Sequence, residues 1–292
     1  MESKKIKSDS NKHDTSSKKY LEFKKKLQKY LNTYQIKKIE KAFSIATQAH
    51  EGQKRQSGEE YIEHPLSAAS ILADFRLDHE SIMAAILHDV IEDTEIEKEN
   101  LKKNFGIKVS DLVDGVSKLN KINFSTKEEA DAANLRKMIL AMSQDIRVIL
   151  IKLADRKHNL ETIDALSPER RKKIGRETLE IFAPISLRLG IHSLNIELED
   201  LSFKSIYPLR YRILKKAIDE SRGNRKELME KIKKVIEGKL KNEGLDANVT
   251  AREKHVYGIY KKMKQKELKF SHINDLFGVR VILPKVDDCY RA

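Results

Sequence analysis

No tryptophan occurs in this chain, and cysteine occurs once, as Cys289. A lone cysteine excludes an intramolecular disulfide and a cysteine-rich metal cage. Prolines number 5 and glycines 11 among 292 residues, too few for a turn-rich β protein, so long helices are expected. Aromatic residues make up 6% of the chain against 39% apolar residues, which makes the expected core aliphatic. A run of about 18 consecutive apolar residues is lacking, so neither a membrane span nor a membrane partner is expected. The N-terminus lacks the apolar core of a signal peptide. A reducing, cytoplasmic location follows as the expectation.

What the chain does carry is charge, with a formal net of +13. The excess sits in the first 30 residues and in 203–270, whereas 31–202 is mildly acidic. A basic block attracts nucleic acid, a membrane surface or nucleotide phosphates. A solvated, lysine-rich helical surface accounts for most of these lysines, and nucleic acid is not an expected partner.

Residues 1–19 are polar and patternless, and read as a disordered tail. Ile36, Ile39, Phe43 and Ala46 recur at helical spacing, and that pattern closes near Gly52. "GQKRQSGEEYIEHP" (52–65) reads as a loop and "LSAASILADF" (66–75) as a helix. "DHESIMAAILHDVIED" (78–93) reads as one helix capped by Asp78, and "IKVSDLVDGVSKL" (107–119) as another. "STKEEADAANLRKMILAMSQ" (125–144) opens with Ser125 and Glu128 at capping-box spacing. "DIRVILIKLADRKHNLETI" (145–163) is apolar on one side. Ser167-Pro168 opens a further helix. Strand character enters late: a short strand and a basic helix in 248–266, and a buried, β-branched strand in "LFGVRVILP" (276–284).

The stretch "AAILHDVIEDT" (84–94) ends an apolar run in His88-Asp89, followed by Glu92-Asp93. On a single helix, His88/Glu92 and Asp89/Asp93 form adjacent rows. Two acidic rows repel unless a cation sits among them. Mixed N/O ligation suits Mn, Fe or Zn more than Ca. "YIEHP" supplies His64, and "LIKLADRKHNL" supplies Asp155, with Asn159 and Thr162 on the same helical face. A lone His, a His-Asp doublet and a later Asp form the arrangement of HD hydrolases, whose chemistry is metal-assisted phosphoester hydrolysis. Glu92 or Asp93 could orient or deprotonate the water. Each residue also has a plainer reading: an idle surface doublet, a helix cap at His64, a local Asp155–Arg156 ion pair. His50, His79 and His158 read as structural or solvated.

"RQSGEEYIEHP", "AAILHDVIEDT", "KLADRKHNLET" and "FAPISLRLGIHSLNIELEDLSF" resemble, in order, the N-terminal half of bifunctional RelA/SpoT homologues. The likeness runs from about residue 20 to the end. It implies an all-α HD-domain helical bundle over 20–200, a helical linker over 201–245, and an incomplete α/β segment over 246–292 that opens a synthetase domain. The implied activity is Mn²⁺-dependent hydrolysis of the 3′-pyrophosphate of ppGpp and pppGpp, the stringent-response alarmones, to GDP or GTP and pyrophosphate. By motif position, His64, His88, Asp89 and Asp155 would be the metal ligands, and Glu92 and Asp93 the catalytic acid/base pair. Asn159 would hold the ribose and Thr162 the base, Arg55 and Ser57 would contact the guanine nucleotide, and Arg156 would support them. Gln56 stands where the family usually has lysine, and Glu60 where it usually has proline.

"AREKHVYGIYKKMKQK" and "INDLFGVRVIL" resemble the start of the synthetase domain, through Arg252, Lys254, His255, Lys262 and a Mg²⁺-binding Asp275. Ala251 replaces a glycine there, and Gly258 a serine. The segment carrying the rest of that site is missing, so these residues read as vestigial or truncated, and a second chain could complete the domain at the open strand edge. Two alternatives stand beside the hydrolase: a fragment of a bifunctional enzyme with ATP:GTP 3′-pyrophosphotransferase activity at full length, and a non-catalytic nucleotide-binding regulatory module.

Overall fold

In the computed structural model, residues 18–120, 145–222, 225–273 and 275–292 are described. Of the tail expected over 1–19, residues 1–17 lie outside them, as does the segment with the Ser125–Glu128 spacing, whereas Lys18 and Lys19 already belong to the first helix. The chain divides into two compact units, Met1–Leu194 and Asn195–Ala292.

The first unit is helical: α1 (18–27), α2 (Thr33–Ala49), α3 (Glu63–Asp74), α4 (His79–Ile86), α5 (Val90–Asp93), α6 (Lys98–Phe105), α7 (Ile107–Asn120), α8 (Arg147–Glu161), α9 (Pro168–Glu177) and α10 (Ala183–Arg188), the last two joined by a π-turn. Local chemistry sets several starts. Asn32 and Gln35 make a reciprocal capping box at α2, with bonds of 3.0 and 3.1 Å. Asp78 accepts from the Glu80 and Ser81 amides at α4, each at 3.0 Å. Ser167 caps α9, with Pro168 in its first turn.

Helix α4 is the centre of this unit. Its residues Ser81 to Ile86 are all buried, and it packs against α2, α3, α7 and α8. A helix apolar on every side is a core helix. Phe23, Leu27, Ile39, Leu72, Leu87, Leu112 and Ile151 close around it, so the core is aliphatic as composition implies.

Two boundaries differ from those expected. The loop ends at Ile62, and helix α3 takes in His64 and Pro65. Proline is tolerated there because amides in the first turn have no helical acceptor. The segment 78–93 is two helices, broken at Leu87–Asp89. The break turns His88 into the core, where it is fully buried. A continuous helix would have kept it in row with Glu92, which is exposed.

The second unit contains most of α11 (His192–Ile206), then α12 (Pro208–Arg222), α13 (Arg225–Asn242), α14 (Val256–Lys266), α15 (Val286–Arg291) and an antiparallel pair, β1 (Asn248–Glu253) with β2 (Phe277–Ile282), in the register Asn248↔Ile282 to Glu253↔Phe277. Phe203, Leu214, Ile218 and Ile259 form one core, and Leu240, Leu245 and Val249 another, with Val279 and Val281 against the latter. Strand β2 is not buried as expected. Phe277, Val279 and Val281 are half-buried and Gly278, Arg280 and Ile282 exposed. A two-stranded ribbon has a second face with nothing stacked on it, so burial alternates. No described helix is long and apolar enough to cross a membrane.

Asp78 does more than cap α4, because its Oδ1 also takes Arg147 NH1 of α8 at 3.2 Å. Burial pushes this carboxyl up, but bonds from Ser81 and the Arg147 guanidinium outweigh it and hold it below its ordinary value. A depressed carboxyl contributes stability above its unfolded pKa and loses it as the pH falls through the folded one. Asp78→Ala should therefore lower stability at pH 7 by about 0.5–2 kcal/mol, the range for losing an N-cap. In urea titrations the gap between wild type and variant should close below about pH 4, the unfolded aspartate range. A gap that stays constant into acid would refute this account.

Candidate metal centre

Four elements bring the polar groups together. The loop 50–60 is pinched by a backbone bridge between Lys54 and Glu60. Within it the Gly58 amide donates to the Arg55 carbonyl at 2.8 Å, with Gly58 at φ +83°. That left-handed turn needs glycine, and it aims Arg55 back toward α8. Helix α3 then supplies His64, the break after α4 supplies His88 and Asp89, and α8 supplies Asp155. One ligand atom from each of His64, His88 and Asp155 lies within 4.8 Å of the other two, and all three residues are buried. Asp89 flanks this group: its Oδ1 is 3.1 Å from His88 Nε2 and its Oδ2 3.7 Å from His64 Nε2.

The positions of the protons follow from the partners. His88 Nδ1 lies 2.8 Å from the Ala85 carbonyl oxygen. A carbonyl only accepts, so Nδ1 carries the proton and Nε2 is bare. That buried Nε2 makes no hydrogen bond, though the Asp89 and Asp155 carboxylates lie 3.1 and 3.9 Å away. His64 Nδ1 lies 2.8 Å from Nδ1 of His158. Arg55 NH1 points at the same His158 nitrogen from 3.3 Å. A guanidinium only donates, so His158 Nδ1 accepts, and His64 Nδ1 must be the donor. His64 Nε2 is then bare as well, 3.2 Å from Asp155 Oδ1. Burial pushes the His64 pKa down against the pull of Asp155, and burial pushes that of His158 to about 3, so both rings are neutral. Two imidazole lone pairs facing carboxylate oxygens inside a core repel. A cation among them reverses the sign, and the N/O donor set fits a divalent transition metal.

Asp155 is the most constrained member. Lys152 Nζ and Asn159 Nδ2 donate to its two oxygens, each at 2.5 Å. Burial alone would raise this carboxyl, but the Lys152 ammonium leads the opposing effects and holds it well below the usual range. Asn159 in turn accepts from Arg55 NH2 at 2.6 Å, and Arg55 NH1 reaches Thr162 Oγ1 at 3.3 Å. On the other side, the Tyr61 hydroxyl lies 2.9 Å from Asp89 Oδ2 and 2.5 Å from Asp93 Oδ2. Burial, with the two carboxylates, raises the Tyr61 pKa, so it keeps its proton. One proton between two carboxylates ties Asp93 to Asp89, which lies beside His88.

Of the residues expected from the sequence, His64, His88, Asp89 and Asp155 converge. Asp93 meets them through Tyr61, while Glu92 is exposed on the same short helix. Arg55, Asn159 and Thr162 meet one another. Ser57 is exposed and bonds Glu59 at 3.2 Å. Arg156 turns away to Glu177 at 3.1 and 3.3 Å and lies over the Phe182 ring. In the second unit Lys254 and Lys262 converge on Asp275 at 3.1 and 2.5 Å and hold its carboxyl at about 2. His255 pairs with Glu199 at 2.7 Å, and Arg252 is exposed. The sequence reading missed His158, Tyr61 and Lys152. His158 and Lys152 each stand three residues from Asp155 on one helix, a signal that was present; Tyr61 had none before the fold was known.

Comparison with known proteins bears on this geometry. Residues 42–192, about half the chain, match the family model of the HD domain, and residues 251–292 match that of a region found in RelA/SpoT proteins. The bifunctional (p)ppGpp synthase/hydrolase SpoT of Escherichia coli K12 is 53% identical over 266 residues, 91% of this chain and 38% of that protein. The guanosine-3′,5′-bis(diphosphate) 3′-pyrophosphohydrolase of Haemophilus influenzae is 55% identical over 248 residues, 85% of this chain and 37% of that protein. The GTP pyrophosphokinase of Streptomyces coelicolor is 43% identical over 262 residues, 90% and 31% respectively. The chain thus spans well under half the length of these curated relatives. With its helical unit matched to the HD domain and its last residues to the RelA/SpoT region, the chain belongs to the HD-domain family and, within it, to the RelA/SpoT homologues.

Proposed function

We propose that this chain hydrolyses the 3′-pyrophosphate of ppGpp and pppGpp, releasing pyrophosphate and GDP or GTP, with Mn²⁺ held by His64, His88, Asp89 and Asp155. The observation that carries the reading is the pair of bare, buried imidazole nitrogens facing carboxylates. The relatives named for this activity support it.

A divalent cation held there lowers the pKa of a water and draws charge from phosphoryl oxygens. The chain supplies the rest. Asp93 and Glu92, the exposed residues of the short helix α5, take the proton from the attacking water and return one to the leaving oxygen. Tyr61 steadies Asp93 through their 2.5 Å bond. Asn159 receives the ribose, Thr162 the base, and Arg55 and Ser57 the rest of the guanine nucleotide. Arg55 bonds Asn159 and Thr162, which places its guanidinium beside the two groups that receive the ribose and the base. Arg156, held by Glu177 and Phe182, buttresses α8 behind the site.

We read 20–200 as the hydrolase domain, 201–245 as a helical linker and 246–292 as the opening of a pyrophosphotransferase domain that would use Mg²⁺. Lys254 and Lys262 around Asp275 favour that second reading, since the same cations suit triphosphate oxygens. A guanine nucleotide substrate fits a cytoplasmic enzyme of the stringent response.

With Mn²⁺, the purified chain should convert ppGpp to GDP and pyrophosphate, followed by chromatography of the nucleotides. Asp93→Asn should lower the rate by about 10²–10⁴-fold, the range of general acid–base catalysis, and Asp89→Ala should abolish it. Intact ppGpp after incubation with the Mn²⁺-loaded chain would end this reading.

Metal binding has its own readout. Mn²⁺ at 100 times its Kd should stabilise the fold by about 2.7 kcal/mol, seen as a rise in Tm. Chelator should reverse the rise, and His88→Ala should not show it. An equal rise in that variant would remove His88 from the ligand set.

A further inference from the structure

Resting on the metal-hydrolase reading above, we propose that His158 and Arg55 are positioning residues for the cation, acting by fixing the tautomer of His64.

Three groups share one lone pair. His158 Nδ1 faces His64 Nδ1 at 2.8 Å and Arg55 NH1 at 3.3 Å. Between two imidazoles alone, the proton can sit on either nitrogen of the pair. In one arrangement His64 donates, and its Nε2 lone pair faces Asp155. In the other His158 donates, and His64 carries its proton on Nε2. That second state aims an N–H at Asp155 Oδ1 from 3.2 Å. It satisfies the carboxylate without a cation and leaves no lone pair to bind one. The site would then be occupied by its own proton.

Arg55 breaks the tie. Its guanidinium has only donors, so an N–H on His158 Nδ1 would face another N–H. The arginine is itself held in place by Asn159 at 2.6 Å and Thr162 at 3.3 Å. The Gly58 turn sets the path of the loop that carries it. The order of control therefore runs from the loop arginine to His158, from His158 to His64, and from His64 to the cation. Such outer partners of a ligating histidine typically change metal affinity about 10–100-fold. His158 has this place because it stands one turn beyond Asp155 on α8, with both side chains turned toward α3.

The test is direct titration of Mn²⁺ into the metal-free chain by calorimetry, with wild type, Arg55→Met, Arg55→Lys and His158→Ala. Arg55→Met should weaken Kd about tenfold, and His158→Ala by about 10–100-fold. Arg55→Lys keeps an obligate donor and should restore most of the affinity, which a merely structural role would not predict. Nitrogen-15 spectra of the metal-free protein give the second readout. Wild-type His64 should carry its proton on Nδ1, and Arg55→Met should move it to Nε2. A wild-type His64 protonated at Nε2, or a Kd in Arg55→Met within twofold of wild type, would overturn the proposal. If His158→Ala fails to fold, the two Arg55 variants still decide, because Arg55 is only half-buried and sits in a largely exposed loop. Affinities that separate as stated in a chain that leaves ppGpp intact would sink the hydrolase reading and spare this one; active enzyme with unchanged affinities would do the reverse.

Discussion

The charge of Asp155 is the constraint around which the first unit is organised. A carboxylate taken out of water is expensive unless its oxygens are paired. Here one oxygen takes Lys152 and the other Asn159, each at 2.5 Å. Those two bonds keep it ionised inside an aliphatic core. Everything polar nearby answers to that anion: two imidazoles brought in from α3 and from the end of α4, and an arginine that locks Asn159 from outside. An apolar helix surface alone would have packed as well around a leucine. The lysine–aspartate–asparagine set on α8 places a paired charge where an aliphatic side chain would fill the same space, a local departure from core chemistry of the kind that marks functional sites.

The break at Leu87–Asp89 is the second requirement. Helix α4 is buried on all sides, so its continuation would carry acidic side chains through the core. Stopping it lets the Ala85 carbonyl accept from His88 Nδ1 rather than from a helical amide alone. The same break points His88 inward and leaves Asp89 beside it with Tyr61 on its outer oxygen. Backbone geometry thus sorts four neighbouring groups by burial: His88 inside, Asp89 at the edge, and Glu92 and Asp93 at the surface.

This explains what could be read from the residues alone. Caps at Asp78 and Ser167 were legible because capping is local, a hydroxyl or carboxylate meeting amides two or three positions on. The convergence of His64, His88, Asp89 and Asp155 was legible through the motifs, since each follows a segment that anchors it. The helix break was not, because "AAILHDVIED" suits an unbroken helix in every propensity and only the burial of α4 forbids it. His158 was passed over although it stands one turn from Asp155, because the ring it meets, 2.8 Å away, comes from 94 positions earlier. The strand at 277–282 looked buried because β-branched residues are chosen for pleated surfaces in general. Nothing in that composition says how many neighbours the strand has.

The two ionic clusters differ in what a ligand must do to enter them. Asp155 is enclosed, and its partners Lys152 and Asn159 stand on its own helix. Asp275 is exposed and held by Lys254, just past the end of β1, and Lys262 of α14. Exposed ion pairs are worth about 0–1 kcal/mol and are screened by salt, so a phosphate can take the lysines, or a metal the carboxylate, with little loss. The start of α14 is fixed separately, by Asp200 accepting from the Val256 and Tyr257 amides at 3.3 and 2.7 Å. That cap holds the helix in place while its lysines exchange partners. A preformed site selects by geometry, whereas an exchangeable one selects by whatever completes it, and the two units of this chain embody one of each.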